Sequence, residues 1–208
     1  MSALVTFSED QRDCLQEVVN VAMGKAGDSL ARFLRTFVNL SVPRIRLVGA
    51  DCLPQVLREH LGRDQTISAV RQGFHSATRG GVHGEAVTLY SDSSFQAMAD
   101  LLDFDSSEDA NQIELMLDTS NILTGACLNG ISEQLGGEVG YSAPSVLGLH
   151  CGLTQLMAPE QLGWDQALLI EINYSLECRE FYCTLVLLMP ADTIVALRSI
   201  LSGLLEDL

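Results

Sequence analysis

Two short runs in this chain carry the same polar residue types at the same helical spacing. In the first, Asp13, Glu17, Asn20, Gly24, Gly27 and Ala31 follow one another at steps of three and four residues, which sets them side by side along one helix face. In the second, Glu114, Asp118, Asn121, Gly125 and Ser132 keep the same period. A carboxylate ahead of an asparagine pairs a charged acceptor with an amide that both donates and accepts. The glycines are out of place on a solvated face, where each interior Gly costs about 1 kcal/mol relative to Ala. They admit a close neighbour. That neighbour is either another part of this chain or the backbone of a partner into which Glu17 and Asn20 reach. The doubling favours the partner, because a repeated fold does not require a repeated exposed face. Yet in both runs Asn follows a carboxylate by three positions, Gly follows Asn by four, and Pro43 or Pro144 follows Asn by 23.

The elements that must position these residues also occur twice. Ser8 is a good N-cap and Gln11 completes a capping box. Behind it Leu15, Val18, Val19, Ala22, Ala26, Leu30, Phe33 and Phe37 recur with a helical period. Residues 45–48, 69–75 and 82–89 read as strands, with a hairpin turn at Arg79-Gly80-Gly81 and a closing helix over 91–102. The second half runs in the same order. A helix spans 112 to about 135, with Met116, Leu123, Ala126, Cys127 and Gly130 as its apolar face; strands follow at 146–151, 167–174 and 181–189, then a helix over 191–205. The polar, acidic stretch 103–111 joins the halves. Helices segregated from runs of strands predict an α+β class. Two halves related by a pseudo-twofold axis would share one sheet and one core, so residues 1–208 are expected to form a single domain of two repeats, about 8–104 and 110–208.

The chain has 208 residues, 47 % hydrophobic and 19 % charged, with 12 basic against 27 acidic side chains and a formal net charge of -15. That balance argues against binding nucleic acid or an anionic membrane surface, both of which need a basic patch. No apolar run approaches the roughly 18 to 20 residues that span a bilayer. The opening residues carry no basic, apolar or cleavage-site pattern, so a cytoplasmic location is expected. The six cysteines show no Cys-x-x-Cys spacing and read as buried free thiols. The adjacent His150 and Cys151 are a poor start for tetrahedral zinc. His75 and His83 lie in strand patterns without a ligand partner, and Gly80-Gly81 precedes no helix that would cradle phosphate.

The doubled ridge resembles the signature of the CheC, CheX and FliY family of chemotaxis phosphatases: Asp or Ser, three residues, Glu, two residues, Asn, twenty-two residues, Pro. Asp13, Glu17, Asn20 and Pro43 match at every position. Glu114, Asp118, Asn121 and Pro144 match at Asn and Pro, with both carboxylate positions changed. Two motifs in a chain of this length resemble the CheC branch. The resemblance implies two long helices on a six-stranded, mainly antiparallel sheet. It also implies hydrolysis of the phosphoaspartate of a CheY-like response regulator. Asn20 and Asn121 would each hold the attacking water, and Glu17 and Asp118 would pair with the receiver's lysine. Asp13, Gly24, Gly27, Glu114 and Gly125 would line the partner contact. No cofactor of its own is implied, since Mg²⁺ comes with the receiver. The alternative is a non-enzymatic adaptor that binds the deamidase CheD or a response regulator, or that forms part of the flagellar switch. Duplication within one chain can replace a dimer, so a monomer is expected.

Overall fold

Ser8 begins the first helix as its sequence demands. Its hydroxyl accepts from the Gln11 N–H at 3.2 Å, and the Gln11 side chain accepts in return from the Ser8 N–H at 3.0 Å. The computed structural model describes residues 6–61, 66–77, 81–103, 109–157, 164, 166–177 and 181–206. Helix α1 (Glu9–Leu34) buries Leu15, Val18, Val19, Ala22, Ala26 and Leu30, and stops where Arg35 turns left-handed at φ 53°. That stop corrects the expected apolar face at one position. Phe37 lies beyond the helix and is 82 % exposed.

After α1 come β1 (Val38–Leu40), β2 (Arg44–Gly49), α2 (Leu53–Leu61), β3 (Thr66–Ser76), β4 (His83–Ser91) and α3 (Asp92–Leu102). The second half supplies α4 (Asp109–Gln134), β5 (Val139–Tyr141), β6 (Ser145–Gly152), α5 (Leu153–Leu156), β7 (Gln166–Leu176), β8 (Tyr182–Pro190) and α6 (Ala191–Glu206). Helix α4 starts at Asp109, so the end of the expected linker is already helical; residues 104–108, and Arg79 and Gly80 of the expected turn, lie outside the described residues. The short β1 and β5 and the helices α2 and α5 have no counterpart among the expected elements. Three-residue strands carry no periodic signal, and α2 and α5 are brief.

All the described strand pairs are antiparallel, and eight strands fill six positions. Both β1 and β2 pair with β7, while β5 and β6 both pair with β3. Each half therefore lends its outer strands to the other half, and β4 meets β8 at the centre. The outer strands break at the prolines. Leu40 lies opposite Tyr174 and Arg44 opposite Glu171, so one extra residue is accommodated across Ser41–Pro43. Tyr141 opposite Phe74 and Ser145 opposite Arg71 repeat the shift across Ser142–Pro144. Proline has no N–H to give a ladder, which is why such a bulge falls there on an edge strand.

The larger core lies between one sheet face and α1, α3, α4 and α6. A smaller one packs Leu53, Leu57, Leu153 and Leu156 of α2 and α5 on the other face. Covered on both sides, β7 and β8 read as continuous apolar runs such as Leu185-Val-Leu-Leu-Met189. Among the described residues five cysteines are free: Cys127 and Cys183 are buried, Cys14 and Cys151 half-buried, and Cys52 exposed, against the expectation of burial; Cys178 lies outside the described residues. Burial pushes the Cys127 thiol up to about 12.

The two long helices touch at a glycine. A Cβ on Gly130 of α4 would fall 2.8 Å from the Ala22 Cα of α1. Gly130→Ala should therefore lower stability by about 1–3 kcal/mol, read as a lower urea midpoint at unchanged slope. Gly203→Ala on α6, with nothing within 4 Å of its Cβ, should show no such loss.

Candidate functional site

Because the apolar stripes of α1 and α4 are fixed against the sheet, the opposite stripes must face outward. On α1, Asp13, Glu17 and Gly24 are exposed and Asn20 is half-buried; on α4, Glu114, Asp118 and Asn121 are exposed. No hydrogen bond or ion pair ties Glu17 or Asp118 to another described residue. Each helix thus presents a free carboxylate one turn ahead of its asparagine.

The glycines divide. A Cβ on Gly24 would meet nothing within 4 Å, so the surface there is open. Gly27 and Gly125 are buried and are filled by this chain itself. Their Cβ positions lie 2.9 Å from Leu40 Cδ2 and from the Tyr141 hydroxyl, respectively. Those covering residues are the last of β1 and of β5, so close packing within the chain accounts for both glycines. Ala31 is half-buried. Ser132, at the far end of its ridge, donates to the Gly137 carbonyl at 2.6 Å.

The proline spacing acquires a physical meaning here. Gln16 Nε2 donates to Asn20 Oδ1 at 3.4 Å and to the Pro43 carbonyl at 3.2 Å. In the other half Gln72 Nε2 donates to Asn121 Oδ1 at 3.2 Å and to the Ser142 carbonyl at 3.1 Å. Each asparagine is thus tethered through a glutamine to the connector that carries the proline. Neither glutamine belongs to the repeated sequence pattern. Gln72 offered the better signal, a polar residue between Val70 and Phe74 on the inward face of a strand.

Chemically the ridge is a convex surface of neutral amides and free carboxylates, not a pocket. A cavity of about 390 Å³, lined by Phe74, Val82, Leu128, Ile131, Ser132 and Ile200 among others, includes neither asparagine. Among the described residues no three His, Cys, Asp or Glu are grouped to hold a metal ion. His83 bonds Thr193 and His150 bonds Asp92, both away from the asparagines. Such a ridge can insert into a cleft that another protein provides. It can orient a water or a phosphoryl oxygen there through the amide.

No family model matches this chain, and no curated protein matches it. Solved structures do. FliY of Thermotoga maritima covers 96 % of this chain and 99 % of its own, at 17 % identity and a TM-score of 0.70. The FliM middle domain of H. pylori covers 94 % and 98 %, at 12 % identity and a TM-score of 0.58. CheX of Borrelia burgdorferi, solved in complex with CheY, BeF3 and Mg²⁺, covers 83 % and 97 %, at 12 % identity and a TM-score of 0.51. The six-position sheet and its two long helices are therefore the CheC-like fold, shared with FliY, CheX and the FliM middle domain.

Proposed function

We propose that this chain is a chemotaxis phosphatase that removes phosphate from the aspartyl phosphate of a CheY-like receiver domain. One observation carries the reading. A free carboxylate and a tethered asparagine are presented twice on convex helix faces, next to the connectors that hold Pro43 and Pro144. The similar CheX, solved in complex with CheY, BeF3 and Mg²⁺, supports a partner of that type.

In this reading Asn20 or Asn121 enters the receiver's site and holds a water in line with the phosphorus. The water oxygen bonds to phosphorus, the P–O bond to the aspartate breaks, and phosphate leaves as the water's proton is lost. Mg²⁺ held by the receiver neutralises charge on the phosphoryl oxygens. The amide's contribution is positional, because a fixed water removes the orientational part of the barrier. Glu17 pairs with the receiver's lysine and sets the docking angle. Asp118 is one methylene shorter, and a misplacement of about 1 Å can cost roughly 10²-fold in rate. The α1 site is therefore the stronger. No described helix is long and apolar enough to cross a membrane, and we place this activity in the cytoplasm.

A second reading is a binding component without catalysis, whether a CheD adaptor or part of the flagellar switch. The likeness to FliM domains solved with FliG and with SpeE favours it.

Loss of phosphate from a phosphorylated receiver, followed with and without the protein, separates the two. About tenfold acceleration over the receiver's own decay, roughly 1.4 kcal/mol of barrier, is expected, and it should vanish in the Asn20→Ala, Asn121→Ala double variant. Asn20→Ala alone should cost more than Asn121→Ala. No acceleration by folded protein with several receivers would leave the binding reading.

Gly24 gives an independent check. Gly24→Ala should raise the stability of the free protein by up to about 1 kcal/mol and weaken receiver binding. Unchanged affinity would remove Gly24 from the contact.

A further inference from the structure

Each asparagine amide is held the same way up by a glutamine, yet the two glutamines come from different elements. A backbone carbonyl only accepts, so the end of Gln16 lying 3.2 Å from the Pro43 oxygen must be its NH₂. That same nitrogen lies 3.4 Å from Asn20, which must then offer its oxygen. The Ser142 carbonyl, 3.1 Å from Gln72 Nε2, fixes Asn121 in the same sense. At the second site the orientation persists although it leaves Gln72 Oε1 buried without a hydrogen-bond partner among the described residues. Turning that amide over would set two carbonyl-type oxygens against each other.

The origins of the two glutamines are complementary. The Ser41 N–H donates to the Asn173 carbonyl and the Ser142 N–H to the Gly73 carbonyl, which makes strand positions 73 and 173, and hence 72 and 172, counterparts. On the helices, the position four residues before the asparagine is Gln16 in one half and Leu117 in the other. The α1 site combines Gln16 on the helix with buried Ile172 on the strand; the α4 site combines Leu117 on the helix with buried Gln72 on the strand. Glutamine and aliphatic side chain have exchanged places, and the amide nitrogen still reaches the asparagine oxygen and the proline connector.

We infer that Gln16 and Gln72 are interchangeable positioning residues that lock the asparagine carboxamides. Each occupies one lone pair of Oδ1 and leaves the other lone pair and the asparagine NH₂ facing outward for water and phosphoryl oxygens. The inference rests on the phosphatase reading for its consequence in rate, and on geometry alone for the orientation.

In the Asn121→Ala background, Gln16→Leu should lower kcat for receiver dephosphorylation about tenfold, with KM unchanged, through loss of orientation. Adding Ile172→Gln, which copies the α4 arrangement into the α1 site, should restore most of it. An unchanged kcat, a change confined to KM, or a folded triple variant without recovery would overturn the inference. A second measurement needs no turnover. In ¹⁵N-labelled protein the side-chain NH₂ signals of Asn20 should move on Gln16→Leu and stay on Gln72→Met, with the converse for Asn121. Signals that ignore their own glutamine would also overturn it. Wild-type protein that fails to accelerate receiver dephosphorylation would sink the phosphatase reading by itself, and the NH₂ signals would still decide the orientation.

Discussion

Neither half of this chain closes its own sheet. The outer strands β1 and β2 find their ladder on β7, and β5 and β6 find theirs on β3. This exchange binds the repeats through backbone hydrogen bonds, the interactions a buried chain can least leave unmade. It also leads each outer strand from the end of its own half's long helix to the other half's sheet. The connectors at Pro43 and Pro144 are where that path breaks register, and there they reach the asparagines through Gln16 and Gln72. Site and fold share one set of constraints.

Beside its free carboxylates, the site presents oriented amide dipoles. An uncharged amide needs no tuned pKa, and what the two glutamines fix is the direction of its oxygen. In the phosphatase reading, a chain with a formal net charge of -15 would gain nothing from long-range attraction to an anionic phosphorylated partner. In that reading, recognition would come from the fit of the ridge over Gly24 and from local pairs such as the one assigned to Glu17.

Much of this was legible in the sequence because it is periodic. The Ser8–Gln11 cap, the buried stripe of α1 and the cores of β2, β3, β4, β6, β7 and β8 all follow from spacing. The failures have a common cause, which is that contact partners are not encoded locally. Nothing near Gly27 announces Leu40, and nothing near Gly125 announces Tyr141. Phe37 continues the helical period on paper, but Arg35 has already turned the chain. Gln16 and Gln72 were invisible as a pair because their equivalence exists only across a sheet and a helix, never in aligned positions.

The strand exchange has an unequal consequence during synthesis. When β5 and β6 leave the ribosome, β3 is already made and waiting. The ladder for β1 and β2 lies on β7, more than a hundred residues further on, a delay on the order of ten seconds at ordinary translation rates. Until then the nascent edge carries Phe37, Leu40 and Val42, apolar residues that stay exposed even in the finished molecule, beside unpaired N–H and C=O groups. The first half therefore carries an open strand edge through synthesis for longer than the second half does.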